Sequence, residues 1–322
     1  MFDSIDITIA TVRCLIAITS IAGNLLVCAV VTRRDMRTPF NYLLLNLAVA
    51  DIVYPTFLFA YSVYGHSDNN PDAMPGNAIC LVLLRLAWFG SNCSVLTLIA
   101  IARERYWAVV HPLSIQRKLT WRQLKVIIPS TWILAALLSF RGFVIQSFGR
   151  EIAVRSCDYF WDDKKLQKAS YRLIYSTFVG ISSLLLIGYY SIVVYTLWFK
   201  RDDQEERSFQ RQGVLKVRKR VTLMVLTVTT LFEVCIISGS VLFVLTEFGL
   251  STISDVAIAI VNTTIAFNSA VNPFAYGLIN QRFREKMKGM LCYSSCASEG
   301  NIKAGHPRII RLRAYPAGFL EN

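Results

Sequence analysis

The sequence predicts an all-α membrane protein, a bundle of seven transmembrane helices, and three observations carry that prediction. Hydrophobic residues make up 54% of the 322 and charged residues only 17%, below the roughly 25% charge of an ordinary soluble domain. The apolar residues gather into long blocks between short polar segments, giving a mean hydropathy of +0.45. The basic residues sort into alternate connections between the blocks.

The blocks fall at 7–32, 41–64, 78–102, 123–143, 171–199, 221–246 and 254–279. Each has room for the about 20 apolar residues that span about 30 Å of hydrocarbon. Backbone amides and carbonyls in lipid must be satisfied within the segment, so each block is read as a helix. The first block runs into Arg33, Arg34 and Arg37 with no small-residue cleavage site, and is expected to be a retained helix rather than a signal peptide.

The net charge of +13 on a soluble chain would point to nucleic acid. Here the charge follows the loops, and no nucleic-acid partner is expected. Arg33, Arg34 and Arg37 lie between helices 1 and 2, and Arg117, Lys118, Arg122 and Lys125 between helices 3 and 4. A larger group from Lys200 to Arg220 joins helices 5 and 6, and Arg282, Arg284, Lys286 and Lys288 follow helix 7. The segments Gly65 to Asn77 and Thr246 to Asp255 have no Lys or Arg. The positive-inside rule then places the N-terminus outside and the C-terminus in the cytoplasm, as expected of a multi-pass plasma-membrane protein. The 4–5 loop departs from the trend, with Arg150, Arg155, Lys164, Lys165 and Lys168 partly offset by four acids.

Of the eight cysteines, Cys14, Cys28, Cys93 and Cys235 lie in apolar blocks and read as small apolar residues. Cys80 opens helix 3 and Cys157 lies in the 4–5 loop, both on the expected oxidising side, but spacing does not decide a pairing. Cys292 and Cys296 follow helix 7 among basic residues, a setting for palmitoylation.

Polar side chains in mid-membrane are costly and mark function by default. Asp51 stands in the apolar run Leu43 to Leu58. Asn24, Ser94, Asn268, Ser269 and Asn272 stand in helices 1, 3 and 7. Asn268 and Asn272 are one helical turn apart and share a face. If these faces converge, two readings stay open: a hard-cation site for sodium or a proton, or a hydrogen-bonded polar core holding helices together. Glu104 and Arg105, followed by Tyr106, form either a breakable ion pair or a stop-transfer charge cluster. Pro273, beside Asn272 and ahead of Tyr276, removes a backbone donor and suggests a hinge.

Taken in order, these residues resemble the rhodopsin-like (class A) G-protein-coupled receptors, over nearly the whole chain. The resemblance rests on Gly23-Asn24, Leu45-Asn46-Leu47-Ala48-Val49-Ala50-Asp51, Cys80, Glu104-Arg105-Tyr106, Trp132, Cys157, Tyr190 and Asn272-Pro273 through Tyr276. It implies a receptor domain over 1–291, including a short amphipathic eighth helix within Gln281 to Leu291, and a cytoplasmic tail over 292–322. It implies a Cys80–Cys157 disulfide and an allosteric sodium pocket of Asp51, Ser94, Asn268, Ser269 and Asn272. Arg105, with Tyr190 and Tyr276, would rearrange on activation. Pro112-Leu113 would dock a G-protein α subunit, and Phe232 would be the transmission aromatic of helix 6. The implied partners are a heterotrimeric G protein, arrestin, membrane lipid and an extracellular ligand.

The departures lie in helices 2, 5 and 6, and the first is Pro55, which stands closer to Asp51 than the family's commoner placement. The family's Cys-Trp-x-Pro reads Cys235-Ile236-Ile237-Ser238, so the toggle tryptophan and the kinking proline are both missing, and Gly239 is the remaining candidate for a bend. Ser182 replaces the usual proline of helix 5, and Glu233 adds an acid beside Phe232, read as an internal hydrogen-bonded group.

Family membership does not name a ligand. Ala87, seven residues after Cys80, stands where aminergic receptors carry an acid. No lysine occurs between Lys219 and Lys286, which excludes retinal attachment in helix 7. With only a few residues before helix 1, no large extracellular binding domain is expected. Arg37-Thr38-Pro39-Phe40-Asn41-Tyr42 is similar to peptide receptors and to many orphan receptors, and the basic 4–5 loop suits an acidic peptide or an anionic lipid. The favoured function is therefore transduction of a diffusible ligand, a peptide first, to G proteins. Two alternatives stand beside it. One is a constitutively active or heteromer-forming receptor without its own ligand. The other is an ion transporter or channel, for which the internal repeats usual in transporters are not seen. No nucleophile–base pair or metal-ligand cluster suggests an enzyme.

Overall fold

A computed structural model describes residues 4–65, 74–111, 119–147, 165–199, 209–248, 254–279, 281 and 283–290. Pro112, Leu113, Cys157, Cys292 and Cys296 lie outside these described residues. Seven long helices follow the chain: α1 Ser4–Val31, α2 Pro39–Gly65, α3 Met74–Val110, α4 Trp121–Ser147, α5 Lys165–Val194, α6 Phe209–Glu247 and α7 Asp255–Ile279. A π-helical turn, Tyr195–Phe199, extends α5. Residues 283–290 form a further short helix, α8, where the eighth helix is expected. Each of α1 to α7 contains a stretch long and apolar enough to cross a membrane.

Local chemistry sets several helix starts. Thr120 and Gln123 form a reciprocal capping box at α4, each side chain accepting the other's backbone N–H at 3.3 and 3.1 Å. Thr38 Oγ1 accepts the N–H of Asn41 (3.2 Å), with Pro39 in the first helical position of α2, where its missing N–H costs nothing. Ser254 caps α7 through the N–H of Ala257 (3.2 Å). Two helices run well past their apolar blocks. α3 continues to Val110 rather than 102, and α6 begins at Phe209 rather than 221. Hydropathy marks only the part suited to hydrocarbon, whereas the backbone hydrogen-bond ladder continues through polar residues. As a result Arg105 and the Lys216–Arg220 run sit on rigid helix.

The helices pack as a bundle in which α2 touches α1, α3, α4 and α7, α3 touches α4, α5 and α6, and α1 meets α7. Leu15, Ile18, Leu137, Leu184, Val234 and Leu278 point outward and are exposed, as expected of side chains that face lipid. Small residues let the backbones approach. A Cβ on Gly90 of α3 would lie 2.7 Å from the Tyr54 nitrogen and 3.0 Å from the Ala50 oxygen of α2. A Cβ on Gly23 would meet Pro273 Cγ at 2.8 Å. Gly239, the candidate for a bend in α6, lies within an unbroken helix. It is buried under Val261 of α7, 2.6 Å from where its Cβ would stand, so it serves close packing between α6 and α7.

Gly90→Val is expected to force α2 from α3 and destabilise the purified protein by about 1–3 kcal/mol. Gly180→Ala, on α5 with nothing within 4 Å, is expected to stay within about 0.5 kcal/mol. Thermal unfolding in nanodiscs compares the two, and equal losses would show that the α2–α3 approach is not the constraint.

Candidate functional site

The mid-bundle site begins with two prolines. Pro55 in α2 lacks the N–H that would bond the carbonyl of Asp51, four residues back, and Pro273 in α7 does the same to Ser269. Both freed carbonyls are caught by α1. Ser20 Oγ donates to the Asp51 carbonyl at 2.8 Å, and Asn24 Nδ2 donates to the Ser269 carbonyl at 3.0 Å. Helix 1 thus supplies what helices 2 and 7 lost, and Gly23 lets Pro273 come close enough for it.

The same geometry gathers the polar cluster. The Asp51 side chain is fully buried. Its Oδ1 accepts hydrogen bonds from Ser94 Oγ (2.9 Å) and Ser269 Oγ (3.3 Å), and Oδ2 accepts one from Asn272 Nδ2 (2.7 Å). The expected convergence of α2, α3 and α7 is therefore observed for Asp51, Ser94, Ser269 and Asn272. Asn268 is buried beside them but does not bond Asp51: both of its amide atoms lack a partner among the described residues. The amide oxygens of Asn24 and Asn272 are likewise without a donor. One layer away, Asn46 ties three helices. Its Nδ2 donates to Thr97 Oγ1 of α3 (2.8 Å) and more weakly to Thr131 Oγ1 of α4 (3.3 Å), and its Oδ1 accepts the Trp132 indole N–H (2.8 Å).

At the end of the bundle that carries Arg105, this guanidinium is clasped within α2 and α3. Its Nε donates to Glu104 Oε2 at 2.6 Å, a second N–H reaches the same oxygen, and the group lies 3.8 Å from the centroid of the Phe40 ring. The ion-pair reading of Glu104–Arg105 thus has its geometry. Tyr106 packs its ring against Tyr189 of α5 (5.6 Å). Tyr190 and Tyr276 are both buried; Tyr190 Oη accepts from Thr229 Oγ1 of α6 (3.3 Å), and Tyr276 packs on Phe283 of α8 (5.9 Å). Phe232 is buried in the main core. Lys286 of α8 pairs with Asp35 in the turn after α1.

At the opposite end, Cys80 is buried and disulfide-bonded. Its expected partner Cys157 falls outside the described residues. Two buried cations there were not singled out from sequence. Arg13 of α1 donates to Ser62 of α2, to Thr263 Oγ1 of α7 (3.0 Å) and to the Ala259 carbonyl (3.1 Å), and Arg85 of α3 is fully buried. Tyr54, Trp88 and Tyr175 form an edge-on aromatic chain across α2, α3 and α5, with centroids 6.0 and 5.3 Å apart. The cations were detectable by the rule that exposed Asp51, since each is an ionisable residue inside an apolar block. The aromatics were not, because an aromatic in such a block reads as core.

This arrangement coincides with a known family. A sequence model described as "7 transmembrane receptor (rhodopsin family)" matches residues 23–276, from the glycine that admits Pro273 to the buried Tyr276. The chain belongs to the rhodopsin family of seven-transmembrane receptors. Among its relatives, the receptor is 26% identical to the Tachykinin-like peptides receptor 86C of Drosophila melanogaster, over 85% of this chain and 56% of that protein. It is 27% identical to Neuropeptide FF receptor 1 of Rattus norvegicus, over 93% of this chain and 74% of that one. It is 29% identical to the human Substance-P receptor, over 84% and 67% respectively. The receptor is thus a multi-pass membrane protein of a family of receptors rather than enzymes.

The capture of the freed carbonyl by Asn24 is testable by a double-mutant cycle. Asn24→Ala is expected to destabilise the receptor by about 0.5–1.5 kcal/mol. Much of that loss should disappear in a Pro273→Ala background, where a restored N–H bonds Ser269 internally. An additive cycle in thermal unfolding would assign the Asn24 effect to packing.

Proposed function

We propose that this receptor carries the signal of an extracellular peptide to a heterotrimeric G protein across the plasma membrane, with its N-terminus outside and its C-terminus in the cytoplasm. The observation that carries this is the clasp on Arg105: a cation held by its neighbour Glu104 and by Phe40, at the end of the bundle richest in basic connections. Such a clasp is released when either partner withdraws, which makes it a switch between a closed and an open end. Tyr190 and Tyr276 lie buried in the core from which they would move to meet it, and Pro112-Leu113 would dock the G protein. The names of the relatives, receptors for tachykinin-like peptides, neuropeptide FF and substance P, support a peptide as the ligand. Buried Arg13 near the Cys80 end, bonded only to neutral acceptors among the described residues, suits an acidic group on it. The Cys80–Cys157 bridge would fix the outer loop over that end. Arrestin, membrane lipid around α8, and lipidation at Cys292 and Cys296 complete the proposed partners and modifications.

A sodium ion fits the mid-bundle cluster. A fully buried carboxylate meets two hydroxyls, three nearby amide oxygens lack donors, and no cationic side chain pairs with Asp51 among the described residues. An all-oxygen donor set of this kind suits a hard cation. Asp51, Ser94, Asn268, Ser269 and Asn272 would hold it, and the ion would supply fixed positive charge that favours the closed packing of α2, α3 and α7.

Two measurements test these readings. Arg105→Ala is expected to abolish G-protein dissociation in transfected cells with surface expression retained, and intact signalling would remove the switch role. Running the same assay against a panel of amidated and free-acid peptides separates a peptide receptor from one with ligand-independent activity, since a basal signal that no peptide alters would overturn the peptide reading. For the ion, replacing choline chloride with sodium chloride is expected to raise the unfolding temperature of the purified receptor by about 2–4 °C. Asp51→Asn should erase that difference, and a sodium effect surviving in the variant would refute the site.

A further inference from the structure

Between α5 and α6, on the outer surface of the bundle, runs a groove of about 500 Å³ whose lining includes Leu186, Ile187, Tyr190, Leu226, Glu233 and Ile237. Ile187 and Ile237, with Val234 on the same rim, are 57%, 37% and 67% exposed, so in a membrane the groove opens onto acyl chains rather than onto water. Its walls are mostly apolar, with one carboxyl group among them. Glu233 is half-buried, and the only hydrogen bond it receives among the described residues is from Ser183 of α5, to Oε2. Among the described residues no Lys or Arg pairs with it and Oε1 has no donor.

A carboxyl group placed at hydrocarbon depth is costly unless a donor or a cation meets it, and such groups therefore mark sites. Here the protein supplies one hydroxyl and leaves the other oxygen on the wall of a groove that a bilayer-dissolved molecule can enter. We propose that this groove is a membrane-facing binding site for a lipophilic amine, whose ammonium group pairs with Glu233 while its apolar body lies along Leu186, Ile187 and Ile237. An amine is the chemistry that answers the site best. It brings both a donor for Oε1 and charge for the carboxyl, in a medium of low dielectric where that attraction is strong, and its chain matches the walls.

The position gives the site a consequence. The inner side of the groove is the polar seam between α5 and α6, made by Ser183 to Glu233 and Thr229 to Tyr190. An occupant bound to Glu233 competes with Ser183, sits beside Tyr190 of α5, and lies against α6, the helix without the family's tryptophan and proline. The site is distinct from the end of the bundle proposed to take the peptide, and its existence does not depend on that reading.

The test uses the purified full chain in phosphatidylcholine nanodiscs, with three matched photoprobes bearing a terminal diazirine: dodecylamine, dodecanol and dodecanoic acid. Expected are saturable amine adducts on peptides from 183–190 and 229–238, displaced by unlabelled dodecylamine, and at least about tenfold stronger than those of the alcohol or the acid. Glu233→Gln should lower amine labelling to the level of the alcohol, and Ser183→Ala should preserve it. Should the glutamine variant fail to fold, the competition among the three probes on the native chain decides alone. Equal labelling by all three probes, unsaturable labelling spread over the exposed faces of α1 and α4, or unchanged labelling in Glu233→Gln would overturn the proposal. A dominant alcohol signal would overturn it in favour of a hydroxyl ligand such as a sterol. Crosslinks between two copies through α5 and α6 in place of probe adducts would overturn it in favour of a second copy as occupant.

Discussion

Every backbone carbonyl at hydrocarbon depth needs a donor, and in this bundle two of them lose theirs to proline. The carbonyls of Asp51 and Ser269 are released by Pro55 and Pro273 and recovered by Ser20 and Asn24, both on α1. Because each unsatisfied group in lipid costs several kcal/mol, α1 is fixed in rotation and height against α2 and α7. The same two residues that lose their backbone bonds, Asp51 and Ser269, bond each other through their side chains. The polar core is thus organised around the places where the helical ladder is interrupted.

From that core the structure divides into two ends with different chemistry. Toward Arg105, charged and aromatic side chains hold one another across α2, α3 and α5, and α8 is tied to the first turn by Lys286 and Asp35. Toward Cys80, Arg13 and Arg85 are buried near the chain of aromatic rings formed by Tyr54, Trp88 and Tyr175. The mid-bundle cluster lies between them and touches α2, α3 and α7 at once. Helix 6 joins this system differently from its usual pattern. It has Phe232 in the core, its contact with α5 adds two hydrogen bonds, through Thr229 and Glu233, to apolar packing, and Gly239 packs it tightly against α7.

Much of the site was readable before any coordinates, because an ionisable or amide side chain inside an apolar block has few innocent explanations. Asp51, Ser94, Ser269 and Asn272 meet as their helical faces required. Asn268 shares a face with Asn272 yet bonds nothing among the described residues: one turn of spacing places two residues on a side of a helix but does not set what each one reaches. Gly239 was the candidate for a bend, since glycine permits one, and the structure shows it as a contact point as well. That distinction depends on Val261, a residue of another helix. Helix ends were misjudged at α3 and α6 because hydropathy reports the surrounding solvent, while helix length follows the backbone ladder.

The sequence by itself determined the number of crossings and their order, because lipid imposes length and apolarity on each segment separately, and its ordered motifs pointed to the family. It also showed that Pro273 removes a backbone donor inside helix 7, whereas the two carbonyls that Pro55 and Pro273 release came into view with the packed helices. Only the tertiary structure decided who answers them. The donors come from a third helix, 31 and 245 positions away in the chain, and no local pattern carries that pairing. The groove that exposes Glu233 to the membrane was decided the same way: an acid beside Phe232 is visible in the sequence, but whether it faces the core or the lipid depends on how α5 and α6 meet.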